Sequence, residues 1–455
     1  MPAWLVKLGT AAKKVPKALA KLLKKFVSWM SNVLRVPRWV VECFLVVGMV
    51  IVLGLLNYYW RLDMYLIGPR NLAKYWLGLV ALAGYLTARL SGILLKGVMT
   101  SGKDFSDIDQ AIHNGCQKIQ DANIDLRNTP LILVVGTDSA AEAGLRAANC
   151  VGDTICLDDP DDPVHWYGDG NALWVTLPGA STISKQLQRI TALSDEEQNL
   201  TEKYSRMPLA DRQLSAKRMD YALKILRRIR NPVVSVNATQ VLIPYSWVVE
   251  SGSEEIIDVV KIDMAILQER LDIRCDCQIM LHKTEQVPEF AALLESTTKE
   301  EADKSNGVRL PRFTVVKTED FIPLHLEMAK VLRKEVYNRY SQNPGADCNE
   351  KMYQLLAQFF LAKLGFTALL SNAFADDIRE PFYLSGLYFV SLTPEESRFY
   401  EGPAVDTLEN HDESIGWADR TLRREDNLKR LTTGVVACVV LLVLVDLVMV
   451  VQWLF

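Results

Sequence analysis

The sequence predicts an α/β fold with a mainly parallel central sheet and a helical extension, held at a membrane by three transmembrane helices. Two observations lead there. Short apolar, β-rich runs alternate with helical patterns through the middle of the chain, the signature of strands buried on both faces and joined by helical crossovers. Three long apolar stretches bracket that region, at 40–60, 72–95 and 431–455, each close to the length needed to cross a bilayer. The 455 residues are 49% hydrophobic, in keeping with a mixture of spans and soluble domain.

Residues 1–38 carry seven Lys, two Arg and no acidic side chain. Within them Trp4, Leu8, Ala11, Val15, Leu19, Leu22 and Phe26 recur at spacings of three and four, with Lys7, Lys14, Lys17, Lys21 and Lys25 largely opposite. This is the pattern of an amphipathic helix lying in a membrane interface, kinked at Pro16. A solvated helix packed on protein shares the pattern, but the single sign of charge and the apolar run that follows favour the interface. The formal net charge is −4, so the rest of the chain sums to −13, which argues against nucleic-acid binding by the main domain. The segment lacks the order of a signal peptide and is read as retained. Eight scattered cysteines form no CxxC pair, which speaks against a disulfide framework or a zinc site and for a reducing compartment.

The first span runs from Val40 to the aromatic end Asn57-Tyr58-Tyr59-Trp60. The second, 72–95, carries Arg89 near its far end, where the side chain can snorkel; a buried soluble helix would fit this stretch too. Together they make a hairpin over 39–98. The third span, 431–455, follows Arg420, Arg423, Arg424, Lys429 and Arg430 and contains Asp446, which faces the hairpin or a partner subunit, or is a carboxylate of no consequence. Basic residues crowd the near sides of the first and third spans, so the N-terminus and the intervening domain are expected in the cytoplasm. The chain stops at the third span, so no region beyond the membrane is expected.

Inside that domain the expected strands are Leu131–Val135, Ala172–Thr176, Val233–Val236, Gln278–Leu281 and Phe313–Val316. Helical patterns fall at Asp211–Arg230, Ile256–Leu271 and Asn349–Ala375, while Ser305–Gly307 and Ser341–Asp347 read as loops. The division that follows is an α/β domain over 99–340 and a helical extension over 341–430.

A buried strand running into Gly136 and then a helix is where a phosphate-binding loop belongs. The G-x-x-x-x-G-K-[ST] frame counted from Gly136 puts Ala141 at the second glycine, Glu142 at the lysine and Ala143 at the magnesium-binding hydroxyl. Glutamate there repels phosphate, by several kcal/mol for like charges about 4 Å apart at an effective dielectric near 20. Downstream, Thr176 stands where an Asp would hold magnesium, ahead of Gly179. Hydrolysis of a nucleotide is therefore not expected, and neither is a bound cofactor.

The order of these features resembles the N-terminal part of the TssM/IcmF family, inner-membrane components of type VI and related secretion systems. Pro130–Gly136 resembles the strand entering that family's nucleotide loop, and His165-Trp166-Tyr167 through Gly179 is similar to its "DWWF…AVLLDTAG" segment. The run from Gln278 through His282-Lys283-Thr284-Glu285 to Phe290 is similar to its TKxD-containing stretch, keeping the lysine as Lys283 and replacing the aspartate by Glu285. Pro381 through Ser391 resembles a further family signature. The resemblance implies a degenerate P-loop, GTPase-like domain, an inner-membrane location, a TssL/DotU-like membrane partner, baseplate-like cytoplasmic partners and an oligomeric complex. The alternative from the enzyme class is a membrane-bound GTPase with an atypical nucleotide loop.

The five histidines, 113, 165, 282, 325 and 411, have no metal-ligand spacing and read as core or surface residues. Cys275 and Cys277 are spaced poorly for a chelate or a disulfide, and Asp158-Asp159-Pro160-Asp161-Asp162 reads as a solvated loop. No side chain is nominated as catalytic and no metal is expected.

Overall fold

The computed structural model describes Val52 and residues 105–429, apart from 149–150, 152, 157–161, 169, 197–206, 231–232, 250–253, 272, 312, 346–347, 376–382, 411–414, 424 and 428. The expected interfacial helix, the hairpin (save Val52) and the third span lie outside the described residues. The described residues from 105 to 429 belong to one compact unit spanning 103–435.

The chain enters through α1 (Ser106–Asp121) and then lays down β1 (Leu131–Val135), α2 (Ser139–Ala147), β2 (Asp153–Cys156), β3 (His165–Gly168) and β4 (Leu173–Thr176). Next come α3 (Thr182–Glu196), α4 (Leu209–Arg230), β5 (Ala238–Pro244), α5 (Tyr245–Val249), α6 (Glu254–Arg270), β6 (Ile273–Arg274) and β7 (Asp276–His282). The remainder is α7 (Pro288–Glu295), α8 (Lys299–Ala302), β8 (Asn306–Arg309), α9 (Phe321–Gln342), α10 (Asn349–Leu361), α11 (Lys363–Phe374), β9 (Tyr383–Phe389), β10 (Ser391–Leu392), β11 (Ser397–Arg398), α12 (Glu401–Asn410) and β12 (Gly416–Trp417).

Eight strands form one sheet in the order β2-β3-β4-β1-β5-β7-β9-β8. β4, β1, β5, β7 and β9 are mutually parallel; β3 and β8 run opposite to them, and edge strand β2, paired antiparallel with β3, runs in their direction. Every residue of β1, β4, β5 and β7 is buried, which is why their apolar runs are continuous instead of alternating. Side chains still divide by the two-residue period of a strand. Leu131, Leu133 and Val135 face a large core shared with Ile108, Ile183, Met219, Val259, Phe290, Met328, Phe359 and Phe366 of α1, α3, α4, α6, α7, α9, α10 and α11. Ile132 and Val134 face a smaller core with Ala141 and Leu145 of α2 and Ala404 of α12. Helices thus cover both faces of the sheet.

Several sequence expectations need correction. Val233–Val236 is not a strand; the strand is β5, a few residues later. Phe313–Val316 forms no ladder, although the Thr314 carbonyl accepts the Leu384 N–H at 2.9 Å. Of Ser305–Gly307, read as a loop, Asn306 and Gly307 are the first two residues of β8. The sheet is also incomplete at residue 340, because β9, drawn from the expected helical extension, is inserted between β7 and β8.

Among the described residues no single helix is long and apolar enough to cross a membrane. α10 and α11 together pass by length and composition but are bent by 54°. Their apolar faces, including Leu355, Phe359, Phe366 and Leu370, are packed in the large core.

Candidate functional site

β1, β5 and β7 end side by side at Val135, Pro244 and His282, and a cleft of about 840 Å³ opens over these carboxyl ends. Ligands of open parallel sheets bind in this position. Asp138, Ser139, Tyr245, Lys283 and Gln286 contribute to its wall.

The loop leaving β1 is short. Gly136 adopts a φ of +89°, and a Cβ there would lie 2.2 Å from the Leu242 carbonyl oxygen, so only glycine permits the turn. α2 starts at Ser139, well inside the eight-residue phosphate-loop frame, leaving only Gly136, Thr137 and Asp138 between strand and helix. Asp138 is the N-cap: one carboxylate oxygen accepts the Ala141 N–H at 2.9 Å. The other lies 2.6 Å from the Lys283 Nζ. A helix N-terminal amide and an ammonium are the donors that a phosphate would use. Here the chain's own carboxylate takes both. Burial pushes the Asp138 carboxyl up, but the ammonium of Lys283, nearby His282 and the Ala141 amide outweigh it and hold it below the usual carboxylate range.

Lys283 follows β7 directly with φ 58°, a left-handed conformation that turns the chain over the strand end. Glu285 sits on the following 3₁₀ turn and accepts the Ser391 hydroxyl at 2.9 Å. Burial raises its pKa. The Thr284 hydroxyl donates to the Val390 carbonyl at 3.0 Å, tying this turn to the end of β9.

Glu142 lies one turn into α2 and is buried. One of its oxygens accepts the Thr176 hydroxyl at 2.7 Å and the Thr137 hydroxyl at 3.2 Å. The other is 2.7 Å from His165 Nδ1. The structure thus gathers Gly136, Glu142, Thr176 and Lys283 about the strand ends. Ala141 contributes its amide, and Ala143 is half-buried on α2 with no polar group to offer. Gly179 is committed elsewhere: its carbonyl accepts from Arg218 Nε at 2.7 Å, and a Cβ would meet Pro163 at 2.7 Å.

Asp138 and His165 were missed from the sequence as members of this site. Asp138 carried a signal, an Asp three residues ahead of Ala141 at the start of a helical run, the signature of an N-cap. His165 carried none. Cys275 and Cys277 are buried with free thiols, and burial pushes that of Cys275 up to about 12. Among the described residues no cluster of His, Cys, Asp and Glu is arranged to hold a metal ion.

A mainly parallel sheet with helices on both faces, and a cleft over its strand ends where Asp138 pairs with Lys283, define a mixed α/β domain. Residues 217–430, from α4 to beyond β12, match the family model of the IcmF-related N-terminal domain, a match that supports an IcmF/TssM-family protein. That domain suggests a component of a type VI or IcmF-type secretion system, and family membership suggests an inner-membrane protein. No curated protein and no solved structure matches the chain.

Proposed function

We infer that the protein is a non-enzymatic inner-membrane scaffold subunit of a type VI or related secretion apparatus, in which a pseudo-GTPase domain serves protein–protein contact. The carrying observation is the Asp138–Lys283 pair at the head of α2. A phosphate entering there would lose both donors to a carboxylate and meet like charge at close range, about 4 kcal/mol per pair of unit charges 4 Å apart at an effective dielectric of 20. The frame position of the phosphate-loop lysine is likewise an acid, Glu142, held within the chain by hydrogen bonds to His165 and two threonines. The retained cleft then serves as a shaped surface. Its spans would pack with a TssL/DotU-like membrane protein, and its cytoplasmic domain would meet baseplate-like subunits in an oligomeric complex.

Affinity purification of the full chain from gently solubilised native membranes is expected to bring down TssL-like and baseplate-like subunits; their absence would overturn the scaffold reading. The alternative, a GTPase with an atypical loop, draws on Lys283 and the open cleft. Titration with GTP or ATP and magnesium separates the two. The scaffold reading expects no binding up to millimolar nucleotide, and saturable binding would favour the enzyme.

A further inference from the structure

We propose that the flank formed by α4 and the corner of β6 and β12 is a docking surface for an anionic lipid bilayer. The proposal rests on the reading of 72–95 and 431–455 as membrane spans.

Lys217, Lys224 and Arg228 are exposed and spaced seven and four residues apart, so they share one face of α4. The chain outside its first 38 residues sums to −13, and against that background this face concentrates cations. Asp220 lies beside them and is covered by two cations, Lys224 and Arg270 of α6.

The described chain begins on this flank at Phe105 and crosses it again at Gly416–Arg420, ahead of the third long apolar run. On the entry side, Phe105 packs edge-on against Tyr221 of α4 at 5.6 Å and lies 5.4 Å under the Arg218 guanidinium. Tyr221 also donates to Asp109 at 2.9 Å. On the exit side, β12 pairs with β6 immediately after α6, Arg274 meets Asp419 at 3.0 Å, and Arg420 donates to the Leu271 carbonyl. Arg270, which binds Asp220 of α4, is the residue before Leu271, so entry and exit are joined by one chain of contacts.

Trp417, at the exit, is 49% exposed on the outer side of this corner, and exposed Leu422 and Arg423 follow it. An exposed tryptophan followed by basic residues and a long apolar run is the composition of a membrane–water boundary. Lysines and arginines held at such a surface attract anionic headgroups within roughly a Debye length. Charge complementarity and the position of these two chain segments commit this face to lipid over protein.

The test uses the full chain in nanodiscs containing phosphatidylglycerol. A benzoylphenylalanine photocrosslinker replaces Gln213 (exposed, one turn before Lys217), Trp417 or, as control, Leu361, which is 84% exposed far along the chain on α10. Lipid adducts read by mass spectrometry are expected severalfold more often at 213 and 417 than at 361. Adducts at 213 are expected to fall by at least about half when Lys217, Lys224 and Arg228 are all changed to Gln, or when phosphatidylcholine replaces the anionic lipid. Yields at 213 and 417 no higher than at 361, or adducts to protein alone, overturn the proposal while leaving the spans standing. A chain that fails to enter nanodiscs at all overturns the spans and the surface together.

Discussion

At the scale of single residues, the cleft is governed by the pairing of the Asp138 carboxylate with the Lys283 side chain. Replacing Asp138 by Ala removes the cap of α2 and leaves the Lys283 ammonium, 13% exposed, without its counter-ion. The expected loss is about 2–4 kcal/mol in urea unfolding, since a stranded buried charge adds to a lost cap. An unchanged unfolding midpoint would refute the pairing. His282 provides the second prediction. Burial pushes its imidazole down to about 3, with Lys283 adding to the effect and Asp138 opposing it. An unfolded histidine titrates near 6.5. Between those values the unfolded chain holds a proton that the folded chain does not, so stability falls as pH drops below about 6.5, by up to about 1.4 kcal/mol per pH unit. Burial also lowers His325, which adds to the same window. Changing His282 to Gln is expected to flatten the dependence of unfolding free energy on pH between 6.5 and 4.5; an unaltered slope would show that the imidazole stays protonated in the fold.

At the scale of elements, legibility followed burial. β1, β4 and β7 were readable because strands covered on both faces are written in unbroken apolar residues, and α4 and α6 because one face of each is apolar at helical spacing. β5 was displaced in the reading because its buried face carries polar residues: Thr239 is within 3.4 Å of the Cys275 Sγ, and Gln240 accepts the Tyr400 hydroxyl at 2.7 Å. β8 was invisible because Asn306-Gly307-Val308-Arg309 has no strand-like pattern and joins the sheet through long-range pairing with β9. The site follows the same logic. Gly136 and Lys283 were visible as local motifs, whereas the Asp138–Lys283 and Glu142–His165 pairs join residues far apart in sequence, and no local pattern encodes them. A further long-range pair sets the third prediction. Asp263 of α6 is fully buried and caps α3, accepting the Ser181 hydroxyl at 2.7 Å and the Thr182 and Ile183 amides at 2.9 Å each. Asp263→Ala leaves these donors unpaired in the core and is expected to destabilise by about 2–4 kcal/mol, with Asp263→Asn milder because its amide oxygen still accepts. Equal effects of the two substitutions in denaturant melts would show that a single accepting oxygen does not preserve the cap.

For the whole molecule, the decisive fact is that β9 enters the sheet late in the chain but inside the order, with β7 on one side and β8 on the other. A division at 340 would separate β7 from the strand that takes its parallel ladder over Asp276–Leu281 and would strip β8 of the partner it has. It would also remove Phe359, Phe366, Leu387 and Phe389 from the large core, where Phe359 and Phe389 stand 5.4 Å apart beside Tyr245 and Phe290. Losing one such aromatic side chain costs about 3–5 kcal/mol, and total stabilities are about 5–15 kcal/mol, so losing three together with Leu387 exceeds what the domain holds. A fragment of residues 103–340 is therefore expected to be insoluble or to lack a cooperative thermal transition. A fragment of 103–430 keeps the sheet and both cores and is expected to unfold in one cooperative step. Circular dichroism melts of the two fragments decide the matter. A cooperative transition in the shorter one would mean that the α/β unit closes without β9, and the helical segment would then be a true extension instead of part of the fold.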